Sequence, residues 1–431
     1  MNYKRKSIVL AVGLSVLCGL TACRAEGGDT LSGTQGANGT SSVQESNAPL
    51  NAQEDEGRAA QEEMQADAGP GSGETGPIVK HIRESYGSNF NVDADVHAPD
   101  ITGAAILTAE MRAFDEQKVV SVLFDGKTPQ KDADVGNGQV SYSDGDATLV
   151  FGPGTFHYRT GESAYYQYPT DRFRADYEIS SAGARLGEVY PQENLSFLSK
   201  EEAIEKVTSV LKELSIEVDT DAEVYAVDSA AMQEQQDKRI REMSDYMKKL
   251  GITPANDKSE NDPAYGYQIK ESFSPDDDFY RLYFRVLENA VPVTQKSRIM
   301  QTDERDMGGS VVEVSLSKNG IMELCCSHIY QKQSAEETIT PLLTAEEALQ
   351  KAAESDAVKN FPGEMTVIAM DLEYVPVPYN DNYEEVKLVP AWSLTLRCEE
   401  TMPSKDVENA METVTNTKML FLDGAAGQEI K

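Results

Sequence analysis

A long run without one aromatic side chain, residues 24–77, limits what this chain of 431 residues can fold into. The run is rich in Gly, Ser, Ala, Asn, Gln, Glu and Asp. Such a composition cannot bury enough apolar surface to offset the conformational entropy that folding removes. We therefore predict a disordered acidic tether over residues 23–77 and expect the folded body within residues 78–431.

Residues 1–22 have the layout of a secretory signal peptide. Lys4, Arg5 and Lys6 precede an uncharged segment, residues 7–22, that ends on small side chains, as signal peptides do. That segment is shorter than the roughly 20 apolar residues that a transmembrane helix needs. We therefore predict that residues 1–22 are removed and do not remain as a membrane span.

Cys23 is the predicted attachment point of a lipid. Leu20, Thr21, Ala22 and Cys23 stand in an order that resembles the lipobox of bacterial lipoproteins. The resemblance implies cleavage before the cysteine and a diacylglycerol on its thiol. Two acyl chains anchor a protein durably, because each buried methylene contributes about 0.8 kcal/mol. The expected location is extracellular, lipid-anchored on the outer face of the cytoplasmic membrane, and an ordinary secreted protein is the alternative.

The charge balance argues against nucleic acid as a partner. The chain has 39 Lys and Arg against 73 Asp and Glu, which gives a formal net charge of −34. A nucleic-acid backbone demands clustered Lys and Arg, and anionic lipid headgroups repel an acidic body. Because the charge is spread along the chain, we interpret it as a source of solubility.

Hydrophobic patterns divide the remaining chain into three predicted regions. Residues 78–195 are predicted to be a mainly β N-terminal domain, with period-two strands and tight turns, one of them a hairpin turn at Gly145. A second hairpin turn is predicted further along the chain, at Gly320. Residues 196–333 contain "FLSKEEAIEKVTSV", and residues 334–431 contain the similar "LLTAEEALQKAAES". In both regions a capped helix is followed by extended segments. We predict an α+β fold of tandem modules, each an antiparallel sheet with packed helices.

The last region resembles a PepSY-type module. The resemblance is carried by Leu343, Thr344, Glu346, Glu347, Ala348, Pro390, Ala391, Trp392 and the terminal "FLDGAAGQEI". In that family a capped helix packs on a small antiparallel sheet, and members are associated with inhibition or regulation of secreted partners. The tandem arrangement behind a lipid anchor also resembles uncharacterised surface lipoproteins of Gram-positive bacteria and extracytoplasmic accessory proteins of cell-wall-sensing kinases. These resemblances imply binding, and no catalytic residue carries over from them.

The sequence contains no recognisable catalytic or metal-binding motif. The four histidines lie far apart, without the paired spacing of zinc sites. A nucleophile elbow and a phosphate-binding glycine loop are also missing from the sequence. We therefore predict no catalytic residue, no metal site and no cofactor. Two carboxylates that act together need not be close in sequence, so a cell-envelope hydrolase remains the alternative.

Three cysteines belong to the predicted folded body, at positions 325, 326 and 398. Neighbouring residues of a strand point to opposite faces, so only one of the adjacent pair can approach Cys398. A disulfide between Cys326 and Cys398 is one prediction, and buried thiols are the other. The only tryptophan, Trp392, lies in an alternating apolar run and is predicted to anchor a core.

These observations predict a membrane-anchored extracellular lipoprotein with a non-catalytic binding or regulatory role at the cell envelope. The lipid attaches the chain to the membrane, and the expected partner is an envelope protein or a cell-wall component.

Overall fold

The computed structural model describes residues 78–132, 139–175, 177–178, 184–249, 261–262, 267–296, 298–299, 306–378, 385–403 and 411–430. The predicted signal peptide and tether lie outside these residues, as does Cys23 with its lipobox neighbours. In the part of the chain that the structure describes, no helix is both long and apolar enough to cross a membrane.

Strands outnumber helices along the described chain. The strands are β1 Ile78–Ser85, β2 Phe90–Ala98, β3 Ala104–Met111, β4 Gln130–Asp132, β5 Val140–Ser143, β6 Ala147–Gly152, β7 Thr155–Thr160, β8 Glu223–Val227, β9 Asn261–Asp262, β10 Tyr267–Gln268, β11 Phe279–Phe284, β12 Leu287–Glu288, β13 Val291–Pro292, β14 Arg298–Ile299, β15 Asp306–Met307, β16 Val311–Ser317, β17 Gly320–Ser327, β18 Tyr330–Ile339, β19 Glu364–Pro378, β20 Glu385–Pro403 and β21 Met411–Asp423. The α-helices are α1 Glu116–Leu123, α2 Ser163–Thr170, α3 Leu186–Val189, α4 Lys200–Glu213, α5 Ser229–Lys249, α6 Ala345–Glu354 and α7 Asp356–Lys359. A 3-10 turn spans Pro275–Asp277.

Sheet 1 combines the first and the last strands of the described chain. Its strand order is β1-β2-β19-β20-β3-β18, and β21 pairs with the part of β20 that β3 leaves free. The β2–β19 pair is parallel, whereas the other pairs are antiparallel. The sheet therefore unites segments from opposite ends of the described sequence.

Sheet 2 is built from the middle of the chain. Its eight strands follow the order β4-β5-β6-β7-β17-β16-β11-β8, and every neighbouring pair is antiparallel. Two of its turns were predicted from glycine. Gly145 between β5 and β6 and Gly320 at the start of β17 both have positive φ, which a side chain disfavours.

The prediction of an α+β fold made of tandem helix-plus-sheet modules is wrong. Strands account for 46% of the structure and helices for 24%, so the fold is predominantly β, with large curled sheets and few short helices. The strands of region 78–195 do not form a sheet of their own: β1–β3 join sheet 1 and β4–β7 join sheet 2. Period-two patterns identify strands but carry no information about which distant strand each one pairs with.

The two similar helical motifs lie on different sheets. Ser199 caps α4, and its side chain and that of Glu202 exchange hydrogen bonds with each other's backbone. Thr344 caps α6 through the same arrangement with Glu347. The buried side chains of α4 pack in the core of sheet 2, whereas those of α6 pack in the core of sheet 1. Each motif therefore covers one apolar face of one sheet.

The residues that carry the PepSY resemblance meet at one end of sheet 1. The side chain of Asp423 accepts hydrogen bonds from the backbone of the following turn. The Leu343 nitrogen donates to the Gly424 oxygen, and the Gly424 nitrogen donates to the Pro390 oxygen. Trp392 is 3% exposed within the same core, so its predicted role as a core anchor is confirmed.

Candidate functional site

A cleft of about 410 Å³ lies between one face of sheet 1 and the edge of sheet 2. Sheet 1 contributes His97, Asp371 and Glu373, and sheet 2 contributes Glu223 and Tyr283. A volume of this size is typical of small-ligand sites. The described residues around it carry charges of both signs.

Strand register brings the charged side chains of sheet 1 together. Asp371 and Glu373 are two residues apart on β19 and therefore point to the same face. The parallel pairing of β2 with β19 sets His97 opposite Asp371. The apolar residues between and beside them point into the core behind the sheet, so that the charged side chains line the cleft.

Lys296 reaches the same place from the segment that follows β13. The Thr294 nitrogen donates a hydrogen bond to the Tyr374 oxygen, 2.9 Å away, next to the bridge between Val293 and Tyr374. This pairing fixes the segment against β19. Lys296, two residues later, therefore lies over the carboxylates of that strand.

The four side chains form a row of alternating charge. His97 Nδ1 lies 3.3 Å from Asp371 Oδ1, and Lys296 Nζ lies 2.6 Å from Asp371 Oδ2. Lys296 Nζ is 3.6 Å from Glu373 Oε1, an ion-pair distance that exceeds a hydrogen bond. The side chain of His97 is 32% exposed and that of Glu373 only 3%. The row therefore runs from the mouth of the cleft to its base.

The pairing holds Lys296 and Asp371 in their charged forms. Burial disfavours charge on Lys296, but the two carboxylates outweigh it and raise the pKa of Lys296. Burial likewise acts against the Asp371 carboxylate, but Lys296 and the hydrogen bond with His97 outweigh it and lower the pKa of Asp371. The hydrogen bond with Asp371 is the main reason that the pKa of His97 is raised.

Glu373 differs from Asp371 in its protonation behaviour. Burial is the largest influence and raises the pKa of Glu373; Lys296 opposes this shift and the Asp371 charge adds to it. Its Oε1 atom has no hydrogen-bond partner, and neither has the Oγ atom of buried Ser393. A buried polar atom without a partner costs about 1–3 kcal/mol, so this end of the row is ready to accept a hydrogen bond.

The opposite wall of the cleft consists of sheet 2, the residues that flank its strands β8 and β11, and the residues that precede α3. Arg285 donates to Asp219 at 2.5 Å and lies 4.0 Å from Asp221. The rings of Tyr177 and Tyr283 are 5.5 Å apart. This wall therefore combines an engaged cation with aromatic surface.

The residues predicted as sites in the folded body do not lie in the cleft. Cys326 is a free thiol in the core of sheet 2, and Cys398 is a free thiol in the core of sheet 1. The predicted disulfide between Cys326 and Cys398 is not formed, because their side chains are buried in separate cores. Burial raises the pKa of both thiols. The other prediction, that of buried thiols, agrees with these positions.

Sequence reasoning missed Asp371 and Glu373. The strand "MTVIAMDLEYVPVP" is apolar apart from these two acids and Thr366, and two acids at period two in such a strand are a signal of a buried polar site. His97 and Lys296 carry no such signal. No group of three or more His, Cys, Asp and Glu with the geometry to hold a metal ion occurs among the residues with described positions.

Comparison with known proteins supports the fold alone. A crystal structure of an uncharacterized protein from Eubacterium rectale ATCC 33656 is similar to this chain, with a TM-score of 0.56 and 16% sequence identity. The similarity covers 81% of this chain and 93% of that one. No protein-family model and no curated protein matches the chain.

Proposed function

We propose that the chain is a lipid-anchored, non-catalytic binding protein of the cell envelope. Its cleft between sheets 1 and 2 holds a small part of a cell-wall polymer. The observation that carries this proposal is the row of charged side chains that lines the cleft from mouth to base. The lipid anchor rests on Cys23 and its resemblance to a lipobox.

The cleft is preorganised for binding. Asp371 and Glu373 project from a 15-residue strand inside a sheet, and Lys296 is held against it by backbone hydrogen bonds. Side chains that are already fixed lose little conformational entropy when a ligand arrives. A ligand would therefore meet polar groups whose positions change little on binding.

The shape of the cleft favours a wall polymer over a protein partner. A stable protein interface needs about 800 Å² of surface on each side, whereas a recessed cleft of about 410 Å³ admits a residue or a side group. A polymer can place one such group in the cleft while the rest stays in solvent. A protein surface would meet mainly the rim.

Anchoring is tested by fractionation of cells that express the full chain. The Cys23→Ala variant should move from the membrane fraction to the medium, because no lipid can be attached. Cys18→Ala is the matched control: it removes a neighbouring cysteine of the predicted signal peptide and should leave the protein in the membrane fraction. Retention of Cys23→Ala in the membrane would refute the anchor.

Binding is tested with a soluble digest of cell wall. The full chain should retain wall fragments, and Lys296→Met should weaken retention by at least about tenfold because it dismantles the charged row. Lys318→Met, which removes an ion pair with Asp276 at the surface, is the matched control. If Lys296→Met does not fold, His97→Gln at the mouth replaces it. Equal retention by all variants would contradict a role of the cleft.

A hydrolase is the second candidate, because the pKa of Asp371 is lowered and that of Glu373 is raised. Carboxylates whose pKa values are driven apart are typical of acid and base pairs. Lys296 Nζ argues against this function, since it contacts both carboxylates and occupies the gap where a scissile bond would lie. Release of reducing ends from the wall digest, abolished by Glu373→Gln, would favour the hydrolase.

A further inference from the structure

The Glu373 carboxylate points to the chemical group that the cleft selects. We infer that the ligand presents a primary ammonium group, which donates a hydrogen bond to Glu373 Oε1 at the base of the cleft. This inference rests on the proposed binding function and names its ligand. It depends on three properties of the cleft: the order of its charges, the engagement of its cations and the burial of its free acceptor.

The order of charges along the row ends on an anion. When His97 is protonated, the charges of His97, Asp371, Lys296 and Glu373 alternate in sign from the mouth to the base. A ligand group that extends this order beyond Glu373 would be positive. An ammonium beside Oε1 would continue the alternation, whereas a ligand carboxylate there would lie next to Glu373 and be repelled.

The cations at this end of the cleft are already engaged. Lys296 binds Asp371 and lies near Glu373, and Arg285 is held by Asp219. Arg185 donates to the backbone oxygens of Ala175 and Glu178. A ligand anion would have to compete with these partners, whereas a ligand cation finds in Glu373 Oε1 an acceptor that has no hydrogen bond and lies 3.6 Å from Lys296 Nζ.

Burial makes that acceptor selective. Glu373 is 3% exposed, so water competes poorly for Oε1. An ammonium attracts the carboxylate through its charge as well as donating a hydrogen bond, whereas a hydroxyl only donates a hydrogen bond, so an ammonium gains more at this oxygen. The formal net charge of −34 also raises the local concentration of cations around the protein.

Binding of an ammonium is coupled to a proton. The titratable groups that face Glu373 are Lys296, Asp371 on its own strand, and through Asp371 also His97. The side chains of Ser393 and Thr294 also act on Glu373 and favour its ionised form. Burial raises the pKa of Glu373, and a bound ammonium favours the ionised carboxylate. The fraction of Glu373 that is protonated, which grows as the pH falls, therefore loses its proton to the buffer when the ligand binds. Affinity should therefore rise with pH until Glu373 is ionised in the free protein.

Calorimetry on the full chain tests this with two pairs of probes. Glucosamine is compared with N-acetylglucosamine, and lysine with Nε-acetyl-lysine. In at least one pair the free amine should bind at least about tenfold more tightly than its acetylated form. Tighter binding of glucosamine indicates an amino sugar, and tighter binding of lysine indicates an amino-acid side chain. Equal binding within both pairs, or no binding, would overturn the inference.

Variants assign the effect to one carboxylate. Glu373→Gln should reduce amine binding by at least about tenfold and abolish proton release, which is measured in buffers of different ionisation enthalpy. Glu336→Gln is the matched control, because Glu336 is a carboxylate of sheet 1 that is paired with Lys387 on another strand. If Glu373→Gln does not fold, the pH dependence of amine binding by the unmodified chain decides the matter: an affinity that does not fall as the pH is lowered overturns the inference.

The same wall digest separates this inference from the proposed function. Acetylation of the free amines of the digest should abolish its retention. Retention that survives acetylation would overturn the ammonium inference and leave the binding function standing. A digest that is not retained in either form would refute the proposed function.

Discussion

The indole nitrogen of Trp392 donates a hydrogen bond to the main-chain oxygen of Leu343, 2.9 Å away. Trp392 lies on β20 in the middle of sheet 1, and Leu343 directly precedes Thr344, which caps α6. The only tryptophan of the chain therefore fixes the start of a helix to the sheet that the helix covers.

Replacement of Trp392 by Phe should destabilise the fold by about 1–3 kcal/mol, because the partly buried Leu343 oxygen loses its donor while most of the packing remains. Urea unfolding followed by circular dichroism measures the change, since the variant has no tryptophan fluorescence. Phe421→Leu, a change of similar size in another cluster of sheet 1, is the packing control. Equal unfolding midpoints for Trp392→Phe and the unmodified protein would show that the hydrogen bond adds nothing.

The two capping boxes should contribute independently to stability. Ser199→Ala and Thr344→Ala should each cost about 1 kcal/mol, because each leaves a backbone N–H of the first helical turn without its acceptor. The two helices pack in separate cores, so the double variant should lose the sum of the two costs. Ser199→Asp keeps an acceptor and should retain stability. A double variant that loses much more than the sum would indicate coupling between the two cores.

Cys326 and Cys398 should remain unmodified in the native protein. Both side chains are completely buried and burial raises the pKa of both thiols, so little reactive thiolate is present. Iodoacetamide should modify neither cysteine before unfolding and both after unfolding in urea without reductant, as measured by mass spectrometry of peptides. A requirement for reductant before modification would reveal a disulfide.

The pair formed by His157 and Glu323 should make stability depend on pH. Their Nε2 and Oε1 atoms are 2.8 Å apart on neighbouring strands of sheet 2. Burial opposes the charge on His157, but Glu323 and its neighbours outweigh it and raise the pKa of His157 above 6.5. Burial also acts against the charge on Glu323, but His157 and two arginines lower the pKa of Glu323 below 4.5.

A histidine with a raised pKa stabilises the fold fully below about pH 6.5 and loses this effect as the pH rises through the folded value. A carboxylate with a lowered pKa stabilises the fold above about pH 4.5 and loses this effect as the pH falls through the folded value. Glu323→Gln should therefore lower the free energy of unfolding most between about pH 4.5 and pH 6.5. The loss should become progressively smaller towards pH 9. Glu313→Gln, which removes the partner of Arg281, is the control. Because arginine stays charged, the loss in free energy of unfolding caused by Glu313→Gln should stay constant from about pH 6 to pH 9.

Local features of the fold were predictable from the sequence. The caps at Ser199 and Thr344 and the turns at Gly145 and Gly320 depend on residues close together in the chain, and each is where the sequence indicates. The pairing of β2 with β19 was not predictable, because the two strands come from distant parts of the sequence and many strands share the same alternation.

In the cleft, too, local features were predictable from the sequence and long-range contacts were not. Acids at period two in β19 mark a polar surface inside a buried strand, but only the parallel register places His97 beside Asp371. Lys296 reaches them through a backbone bridge to Tyr374 that no local pattern indicates. The spacing of the two acids is therefore local, whereas every contact in the row depends on tertiary structure.

Sheet 1 has a consequence for the order of events during synthesis. Its first three strands leave the ribosome early, but β2 obtains its second neighbour only when β19 arrives, after all of sheet 2 has been made. Pairing across such separations is slow, and unpaired strand edges invite aggregation. Sheet 2 can form before the strands from the two ends of the described chain pair in sheet 1. Premature termination before β19 would therefore leave sheet 2 intact and β1–β3 without the rest of sheet 1.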